Sequence, residues 1–505
     1  MKSIAKTKTG INGLDEITEG GLPAGRPTLL CGGPGCGKTL LAIEFIVKGA
    51  TMYNEPGVFM TFEEKTEELT DNVASLGFDL DKLVRNKKLR LDYVQIDRTE
   101  IEETGEYDLD GLFIRLEHAL DSIGAKRVVL DTIENLFAGL TNQGILRAEL
   151  RRLFQWLKNK GVTAIITGEK GDGTLTRHGL EEYVSDCVIL LDHRIINQVS
   201  TRRMRIVKYR GSIHGTNEYP FLIDEEGITV FPVTSLKLDK EVSTKRVSTG
   251  ISSLDKMFGG KGFFKGSSVL ISGTAGTGKT SIAAYFADAT CNRKEKCLFV
   301  ALEESPKQII RNMRSIGLDL DRHVKSGLLE FQSFRPGLQG LEMHLASIYK
   351  LVRKFKPQSV VLDPITSLIT VGLLIEVNAM LLRLVDFMQS EGITLILTAL
   401  NSGTTEHIDE NVSSLVDAWI LVRDLESDGE RNRAIYIMKS RGMAHSNEVR
   451  EFLITSKGLD LVDVYRGSNG VLVGSARKVK MREEMAQAKR NQRNFLDGSA
   501  KKIPK

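Results

Sequence analysis

Two glycine-rich stretches have the residue types and spacing that bind nucleotide phosphates. Residues 32–39 read GGPGCGKT and residues 273–280 read GTAGTGKT, each between a short apolar run and a helix-forming one. Glycines allow consecutive backbone N–H groups to face an anion at a helix N-terminus, and the lysine reaches the β- and γ-phosphates. The sequence therefore predicts two sites for ATP or ADP. The predicted nucleotide ligands are Gly32, Gly33, Pro34, Gly35, Cys36, Gly37, Lys38, Thr39, Gly273, Thr274, Ala275, Gly276, Thr277, Gly278, Lys279 and Thr280.

Two aspartates at the ends of apolar runs predict a metal site beside each loop. Each ends the sequence VVLD, where a carboxylate at the carboxyl edge of a parallel sheet meets the metal of a phosphate-loop site. The threonine that closes each glycine loop supplies a second oxygen ligand. An acid that caps a neighbouring helix is the alternative. The predicted Mg²⁺ ligands are Thr39, Asp131, Thr280 and Asp363.

A pair of glutamates follows the second apolar run of each half of the chain. Glu63–Glu64 and Glu303–Glu304 fall at the sheet edge where the γ-phosphate should lie. Carboxylates there can accept a proton from an attacking water or hydroxyl, which is worth about 10²–10⁴-fold in rate. Acids at a solvated helix N-terminus are the alternative. We interpret all four as catalytic.

A basic motif lies late in each half. Lysine and arginine alternate in VKYRGSIHG and in MKSRGMAH, which places both side chains on one face of a predicted edge strand. Such an edge, far from its own glycine loop, can supply charges to a neighbouring chain's nucleotide, and an arginine used in this way contributes about 10³–10⁵ in phosphoryl transfer. A solvated basic edge that blocks aggregation is the alternative. The residues are Lys208, Arg210, His214, Lys439, Arg441 and His445.

The elements that must position these residues occur twice. TGINGLDE at residues 9–16 returns as TGISSLDK at 249–256, and both VVLD and the basic motif also recur. Short Val/Ile/Leu-rich runs alternate with amphipathic stretches, which is typical of a parallel sheet covered by helices on both faces. We therefore expect an α/β fold. The predicted organisation is two nucleotide-binding domains at 1–234 and 249–470, a linker at 235–248, and a basic helical or mobile tail at 471–505.

Composition limits the alternatives. The chain has 505 residues, which exceeds the roughly 250–300 residues that one core supports. No run approaches the ~18 apolar residues of a spanning helix, and the start lacks a signal peptide's apolar core, so we expect no membrane and a cytoplasmic location. The five cysteines form no CxxC pair and are expected to be reduced. A net charge of +4 does not indicate nucleic acid by itself.

Taken together, these residues resemble the KaiC family, the double-domain RecA-like ATPases and autokinases of bacterial clock systems. The likeness extends to about residue 470 and includes GGKGFFKGSSVLISGTAGTGKT, ALEESPKQIIRNMRSIGLDL and SRGMAHSNEVREFLITSKG. It implies two tandem RecA-like P-loop domains, six chains in a double-ring hexamer, and ATP with Mg²⁺ at each subunit interface. On that pattern the basic residues bind nucleotide in trans.

The resemblance also gives a role to two adjacent serines. Ser413 and Ser414 stand in HIDENVSSLVDAWILV, whereas the comparable GLEEYVSDCVILL of the first half has Glu182 and Tyr183. In KaiC-like proteins the C-terminal domain phosphorylates two such residues across the interface and dephosphorylates them through ADP, while the N-terminal domain only hydrolyses ATP. The implied activities are ATPase and Ser/Thr autokinase. A solvated cap is the alternative for the serines.

The resemblance implies partners as well. These are a homo-hexamer, with a stacked dodecamer as a further option, and a KaiB-like protein, in a circadian or hourglass-type timing system. The tail beyond residue 475 differs from the segment that binds a KaiA-type activator, so phosphorylation is expected to be independent of KaiA.

Two other functions remain open at this point. A RecA/DnaB-like DNA-stimulated ring ATPase needs a basic groove with stacking aromatic residues. Aromatic residues make up only 6% of the chain, so nucleic acid is not the expected partner. A signalling scaffold that uses nucleotide only to join subunits would not hydrolyse ATP, and both acid pairs disfavour it.

Overall fold

Two compact units make up the chain. The structure, a computed structural model, describes residues 4–95, 109–137, 143–171, 174–176, 179, 185–196, 199–232, 243–401, 412–427, 430–467 and 470–500. Contacts divide the chain into the units Met1–Leu236 and Lys237–Lys505. Each unit contains one nine-stranded mixed sheet and a two-stranded sheet that precedes the glycine loop, and the C-terminal unit has a second two-stranded sheet at Tyr465–Gly467 and Gly470–Leu472.

The strands follow the predicted apolar runs. Those of the N-terminal unit are β1 Lys6–Thr7, β2 Leu22–Pro23, β3 Pro27–Gly32, β4 Gly57–Thr61, β5 Leu89–Tyr93, β6 Arg127–Asp131, β7 Thr163–Glu169, β8 Cys187–Ile196, β9 Val199–Tyr209, β10 Glu218–Asp224 and β11 Gly227–Val230. Those of the C-terminal unit are β12 Arg246–Val247, β13 Phe263–Phe264, β14 Ser268–Gly273, β15 Cys297–Ala301, β16 Leu329–Ser333, β17 Ser359–Asp363, β18 Thr394–Leu400, β19 Ala418–Ser427, β20 Glu430–Ser440, β21 Arg450–Thr455, β22 Gly458–Asp463, β23 Tyr465–Gly467 and β24 Gly470–Leu472.

Strand order shows that the sequence repeat is a repeat of topology. The N-terminal sheet has the order β11-β10-β9-β8-β3-β7-β6-β4-β5, and the C-terminal sheet has the same order with each strand number raised by eleven. In this order, the neighbouring strands β8, β3, β7, β6, β4 and β5 are parallel to one another. On the other side of β8, the strands β9, β10 and β11 extend the sheet with antiparallel pairing. The predicted α/β fold with two tandem domains is confirmed.

Helices connect the strands. In the N-terminal unit they are Leu14–Ile17, Lys38–Met52, Thr66–Ala74, Leu80–Arg85, Asp110–Ile123, Ile133–Leu136 and Gln143–Lys160. In the C-terminal unit they are Ser252–Met257, Lys279–Asn292, Pro306–Arg314, Asp321–Lys325, Leu341–Phe355, Leu374–Ser390 and Gly474–Ala500, with 3₁₀ turns at Pro336–Leu338 and Ile365–Thr370 and a helical turn at 412–415.

Both faces of the N-terminal sheet are buried. Side chains of one strand point alternately to the two faces, and each face packs against helices. Val129 packs with Phe45 of the helix that follows the glycine loop. Its neighbours Val128 and Leu130 pack on the opposite face with Phe113. Strands that are buried on both sides read as continuous apolar runs, which explains VVLD.

A buried carboxylate makes the stability of the N-terminal unit depend on pH. Glu44, on the helix Lys38–Met52, is 1% exposed and accepts a hydrogen bond of 2.7 Å from the Ile228 N–H in β11. Burial raises the pKa of Glu44 from 4.5 to about 7. A folded-state pKa above the unfolded value means that the folded unit holds more protons. The contribution of Glu44 to the stability of this unit is therefore greatest below pH 4.5 and falls as the pH rises through about 7.

We expect Glu44→Gln to remove this pH dependence. Glutamine keeps an acceptor for the Ile228 N–H and cannot ionise, so the free energy of unfolding should rise by about 2–3 kcal/mol at pH 8 and change little at pH 5. The chain has two tryptophans, Trp156 and Trp419. In a Trp419→Phe background, urea unfolding followed by Trp156 fluorescence reports the N-terminal unit alone. An equal change at both pH values would contradict the prediction.

The basic tail begins as a helix that is fixed to the C-terminal sheet. The helix Gly474–Ala500 starts with its first N–H donating 3.1 Å to the Glu451 carboxylate, and Arg477 pairs with the same buried group at 3.2 Å. Within the described residues, no helix has the length and apolar content to span a bilayer.

Candidate active site

Each glycine loop lies between a buried parallel strand and a helix N-terminus. The lysine of each loop bonds to carbonyls of its own loop. Lys38 Nζ donates to the carbonyl oxygens of Gly32 at 2.9 Å and Gly33 at 3.1 Å. Lys279 Nζ donates to Gly273 at 2.8 Å and to the next residue at 2.7 Å. The two ammonium groups therefore lie inside their loops, where the β- and γ-phosphates of a nucleotide would bind.

One glycine of each loop has a left-handed backbone, which side chains rarely adopt, and a neighbouring side chain lies close to where its Cβ would stand. Gly37 has φ 102°, and a Cβ there would lie 2.9 Å from Ile223 of β10. Gly278 has φ 98°, and its Cβ would lie 2.6 Å from Ile454 of β21. The outer hairpin of each sheet thus packs directly on its glycine loop.

Oxygen groups fit for a magnesium ion gather beside each loop. Asp131 is buried and accepts hydrogen bonds from Thr39 at 3.0 Å and from Thr167 of β7 at 2.6 Å. Burial raises the pKa of Asp131, and these hydroxyl donors oppose the rise. A hard divalent cation would compensate the buried charge, and a carboxylate with a hydroxyl is a suitable oxygen pair.

The C-terminal unit repeats this arrangement. Asp363 is buried and bonds to Thr280 and to Thr398 of β18. Within the described part of the chain, no cluster of three or more His, Cys, Asp or Glu could hold a metal. A magnesium ion bound by one carboxylate together with substrate phosphates needs no such cluster.

The predicted residues of the C-terminal site line one cavity. It has a volume of about 400 Å³, and its walls include Lys279, Thr280, Glu303, Glu304 and Asp363. The loop lysine, the predicted metal ligands and both predicted catalytic acids therefore face one space that a nucleotide could enter.

Neighbouring polar groups hold the two acids. Ser367 Oγ donates to Glu303 Oε1 at 2.6 Å, and Asn312 Nδ2 donates to Glu304 Oε2 at 3.1 Å. Burial raises the pKa of Glu304, and the nearby Asp363 carboxylate raises it further. A carboxylate with a raised pKa is a stronger proton acceptor once it is ionised.

The N-terminal acids occupy the same place in their own unit. Glu63 and Glu64 follow β4, and their backbone N–H groups donate to Thr61 Oγ1 at 3.3 and 3.2 Å. The nearby Glu64 carboxylate raises the pKa of Asp131. Both pairs thus lie at the carboxyl edge of their sheet, and their catalytic role stays a prediction.

The basic lysines and arginines lie at the other end of each sheet, where the parallel strands begin. Lys208 is within β9, and Arg210 follows the end of β9, which pairs with the start of β8. In the same way, Lys439 is within β20, and Arg441 follows the end of β20. The arginines therefore lie in turns beyond the predicted strand face. The prediction of edge strands was wrong, because β9 pairs with both β8 and β10, and β20 pairs with both β19 and β21. His214 Nδ1 and His445 Nδ1 lie 3.5 and 3.3 Å from carbonyls of their own turns.

The adjacent serines lie beside these C-terminal cations. Ser413 is half-buried and Ser414 is exposed, in the helical turn 412–415. Lys439 Nζ donates to the Ser413 carbonyl at 2.5 Å, and Arg441 Nη2 donates to the Ser414 carbonyl at 2.8 Å. Glu182 and Tyr183 of the first half lie outside the described residues.

Sequence reasoning missed several groups. Thr167 and Thr398, the strand hydroxyls on the metal-site aspartates, recur in both copies and could have been found from the repeat. Thr274 Oγ1 donates to Asp424 at 3.0 Å, and Arg433 donates to a loop carbonyl at 3.2 Å, which ties the β19–β20 hairpin to the C-terminal glycine loop. Further along the cavity, the wall is formed by Ile309, Met313, Ile316 and Ile454, an apolar surface suited to a base.

Comparison with known proteins agrees with this geometry. The family model described as "ATPase: KaiC" matches residues 7–235 and 247–465. The chain is 56% identical over 494 residues to the circadian clock protein KaiC2 of Synechocystis sp. (strain ATCC 27184 / PCC 6803 / Kazusa), which covers 97% of this chain and 87% of the relative. It is 36% identical over 488 residues to the circadian clock oscillator protein KaiC of Synechococcus elongatus, which covers 96% and 94%.

The duplicated family match coincides with the two sheets and their glycine loops. The chain is thus a homologue of circadian clock oscillator proteins with two RecA-like ATPase domains, and it belongs to the KaiC ATPase family.

Proposed function

We propose that the C-terminal domain is a Mg·ATP-dependent kinase that phosphorylates Ser413 and Ser414 of a neighbouring chain. The observation that supports this most strongly is the placement of the serines and the cavity at opposite ends of one strand. The Asp417 N–H donates to the carbonyl of Ser268, the first residue of β14, at 2.9 Å, and the serine pair comes shortly before Asp417 in the chain. The glycine loop begins at the last residue of β14, Gly273.

This placement supports transfer between chains rather than within one chain. A strand of six residues spans about 17 Å, whereas reacting atoms must approach to about 3–3.5 Å. Lys439 and Arg441 lie at the same edge as the serines, so they too are directed away from their own nucleotide. A second chain that places its cavity against this edge would receive the serines and the cations together. This arrangement favours a ring, and we propose a homo-hexamer.

The side chains of the cavity support a simple transfer. The serine Oγ attacks the γ-phosphorus, the Oγ–P bond forms, and the bond from that phosphorus to the bridging oxygen of ADP breaks. Glu303 or Glu304 accepts the serine proton, and the loop lysine with the incoming arginine stabilises the phosphoryl oxygens. Mg²⁺ held by Thr280 and Asp363 would neutralise the β- and γ-phosphates. In the reverse direction, ADP takes the phosphoryl group back and ATP is regenerated.

In the N-terminal domain, we propose that Glu63 and Glu64 activate water instead of a hydroxyl. ATP is then hydrolysed at a site where Thr39 and Asp131 would hold Mg²⁺. Two coupled activities of this kind suit a timing protein, in agreement with the clock function named for the relatives. A KaiB-like partner, independence from a KaiA-type activator, and stacking of two rings into a dodecamer belong to this proposal.

Mass spectrometry of the intact chain and its peptides tests the proposal. The full-length protein is incubated with Mg·ATP, and excess ADP is added afterwards. We expect up to two phosphates, confined to Ser413 and Ser414, which decline in ADP as ATP appears. Sustained ATP hydrolysis without phosphoserine would leave an ATPase without kinase activity.

A further inference from the structure

The residue that follows the serine segment, defined as residues 412–416, is held by neutral donors. Asp417 Oδ2 accepts hydrogen bonds from the Ser268 N–H at 2.9 Å, from Ser268 Oγ at 3.1 Å and from Gln389 Nε2 at 3.2 Å. The Asp417 carbonyl accepts a hydrogen bond from the Arg441 N–H at 2.7 Å. The carboxylate thus joins the serine segment to β14 and to the helix Leu374–Ser390.

The equivalent carboxylate of the N-terminal unit has different partners. Asp186 directly precedes β8, as Asp417 directly precedes β19. Pro27 stands at the start of β3, where β14 begins with Ser268, and proline has no N–H to donate. Cations lie around Asp186 instead: Lys158 at 2.6 Å, Arg210 at 3.7 Å and Arg26 at 3.9 Å.

The arginine that follows β9 or β20 has a contact near this carboxylate in one unit and a contact with the serine segment in the other. The Arg210 guanidinium lies beside the Asp186 carboxylate, whereas Arg441 Nη2 donates to the Ser414 carbonyl at 2.8 Å. Neutral donors to a carboxylate oxygen leave the neighbouring cation available for another acceptor, and hydrogen bonds that involve a charged group are about twice as strong as neutral ones. In the C-terminal unit that acceptor is the serine segment.

We propose that Asp417 is a positioning residue for serine phosphorylation. Held by Ser268 and Gln389, it fixes the end of the serine segment, so that Lys439 and Arg441 grip the two serine carbonyls and present both hydroxyls in one orientation. The neutral set of donors distinguishes the kinase domain from its N-terminal copy. This inference rests on the proposed autokinase function.

The test replaces Asp417 by asparagine in the full-length chain. Asparagine preserves the shape of the side chain and removes its charge, so the charge-assisted bonds are lost. We expect phosphate incorporation at Ser413 and Ser414 to fall about tenfold, and the number of ATP molecules hydrolysed per phosphoserine to rise by a similar factor. Amide hydrogen exchange within residues 412–416, measured without ATP, should accelerate. A defect that is merely structural would accelerate exchange throughout the C-terminal unit instead of within this segment alone.

Two further variants keep the test decisive. Gln389→Leu removes the hydrogen bonds to Asp417 and Ser268 at a half-buried position and should reduce phosphorylation in the same direction, about threefold, even if Asp417→Asn fails to fold. Asp186→Asn is the matched change in the N-terminal copy and should leave the rate of phosphate incorporation at Ser413 and Ser414 unchanged.

The outcomes separate the two claims. Wild-type phosphorylation and wild-type exchange in both C-terminal variants would overturn the role of Asp417. A wild-type protein that incorporates no phosphate would instead refute the kinase proposal, while hydrogen exchange would still report whether Asp417 orders the serine segment.

Discussion

Replacing both acids of the C-terminal site, Glu303→Gln with Glu304→Gln, is expected to reduce serine phosphorylation by about 10²–10⁴-fold. Both carboxylates line the cavity that contains Lys279, and Ser367 and Asn312 hold them in place. Glutamine preserves their volume and one acceptor oxygen but cannot take the serine proton. Phosphopeptide mass spectrometry over a time course in Mg·ATP measures the rate at each serine.

The N-terminal acids provide the matched control. Glu63→Gln with Glu64→Gln should lower ATP hydrolysis and leave phosphoserine formation within about twofold of the wild type, because these residues lie in the other unit. Serine phosphorylation that survives the change at Glu303 and Glu304 would remove these acids from the mechanism.

Replacing Arg441 by alanine is expected to lower the rate of phosphoryl transfer by about 10³-fold, because the arginine is inserted into a neighbouring chain's site. Two kinds of chain are mixed to form joint rings. One carries Lys279→Ala and intact serines, so it can only receive phosphate. The other carries Ser413→Ala with Ser414→Ala and an intact cavity, so it can only donate.

Arg441→Ala is then introduced into one kind of chain at a time. Because Arg441 lies beside its own serines, the change should abolish transfer in the receiving chain and have little effect in the donating chain. Lys439→Ala should behave in the same way, more weakly. A loss of transfer that follows the donating chain would show that the arginine serves its own nucleotide.

Repetition explains why so much of the site was predictable from the sequence. A glycine loop between a strand and a helix, an acid at the end of VVLD and a glutamate pair each mark a strand's carboxyl end, and parallel strands bring those ends together. The duplicated order of strands, with two loops of the same spacing, follows from the same pattern.

Other features depend on contacts between distant parts of the chain, which local patterns do not contain. Lys439 and Arg441 read as an edge motif, but their bonds to the serine carbonyls arise from the pairing of β19 with β20. Asp417 appears as an ordinary acid before an apolar run. Its partners Ser268 and Gln389 lie 149 and 28 residues away in sequence.

The central claim is that one chain's serines are phosphorylated at another chain's cavity. The most direct measurement mixes the receiving chain, Lys279→Ala, with the donating chain, Ser413→Ala and Ser414→Ala, in Mg·ATP and locates phosphate by mass spectrometry. Neither chain alone should acquire phosphate on Ser413 or Ser414, and the mixture should place it on the serines of the Lys279→Ala chain. Phosphate on Ser413 or Ser414 when the Lys279→Ala chain is incubated without the donating chain would contradict the account. So would a mixture without phosphoserine under conditions in which the wild-type protein is phosphorylated.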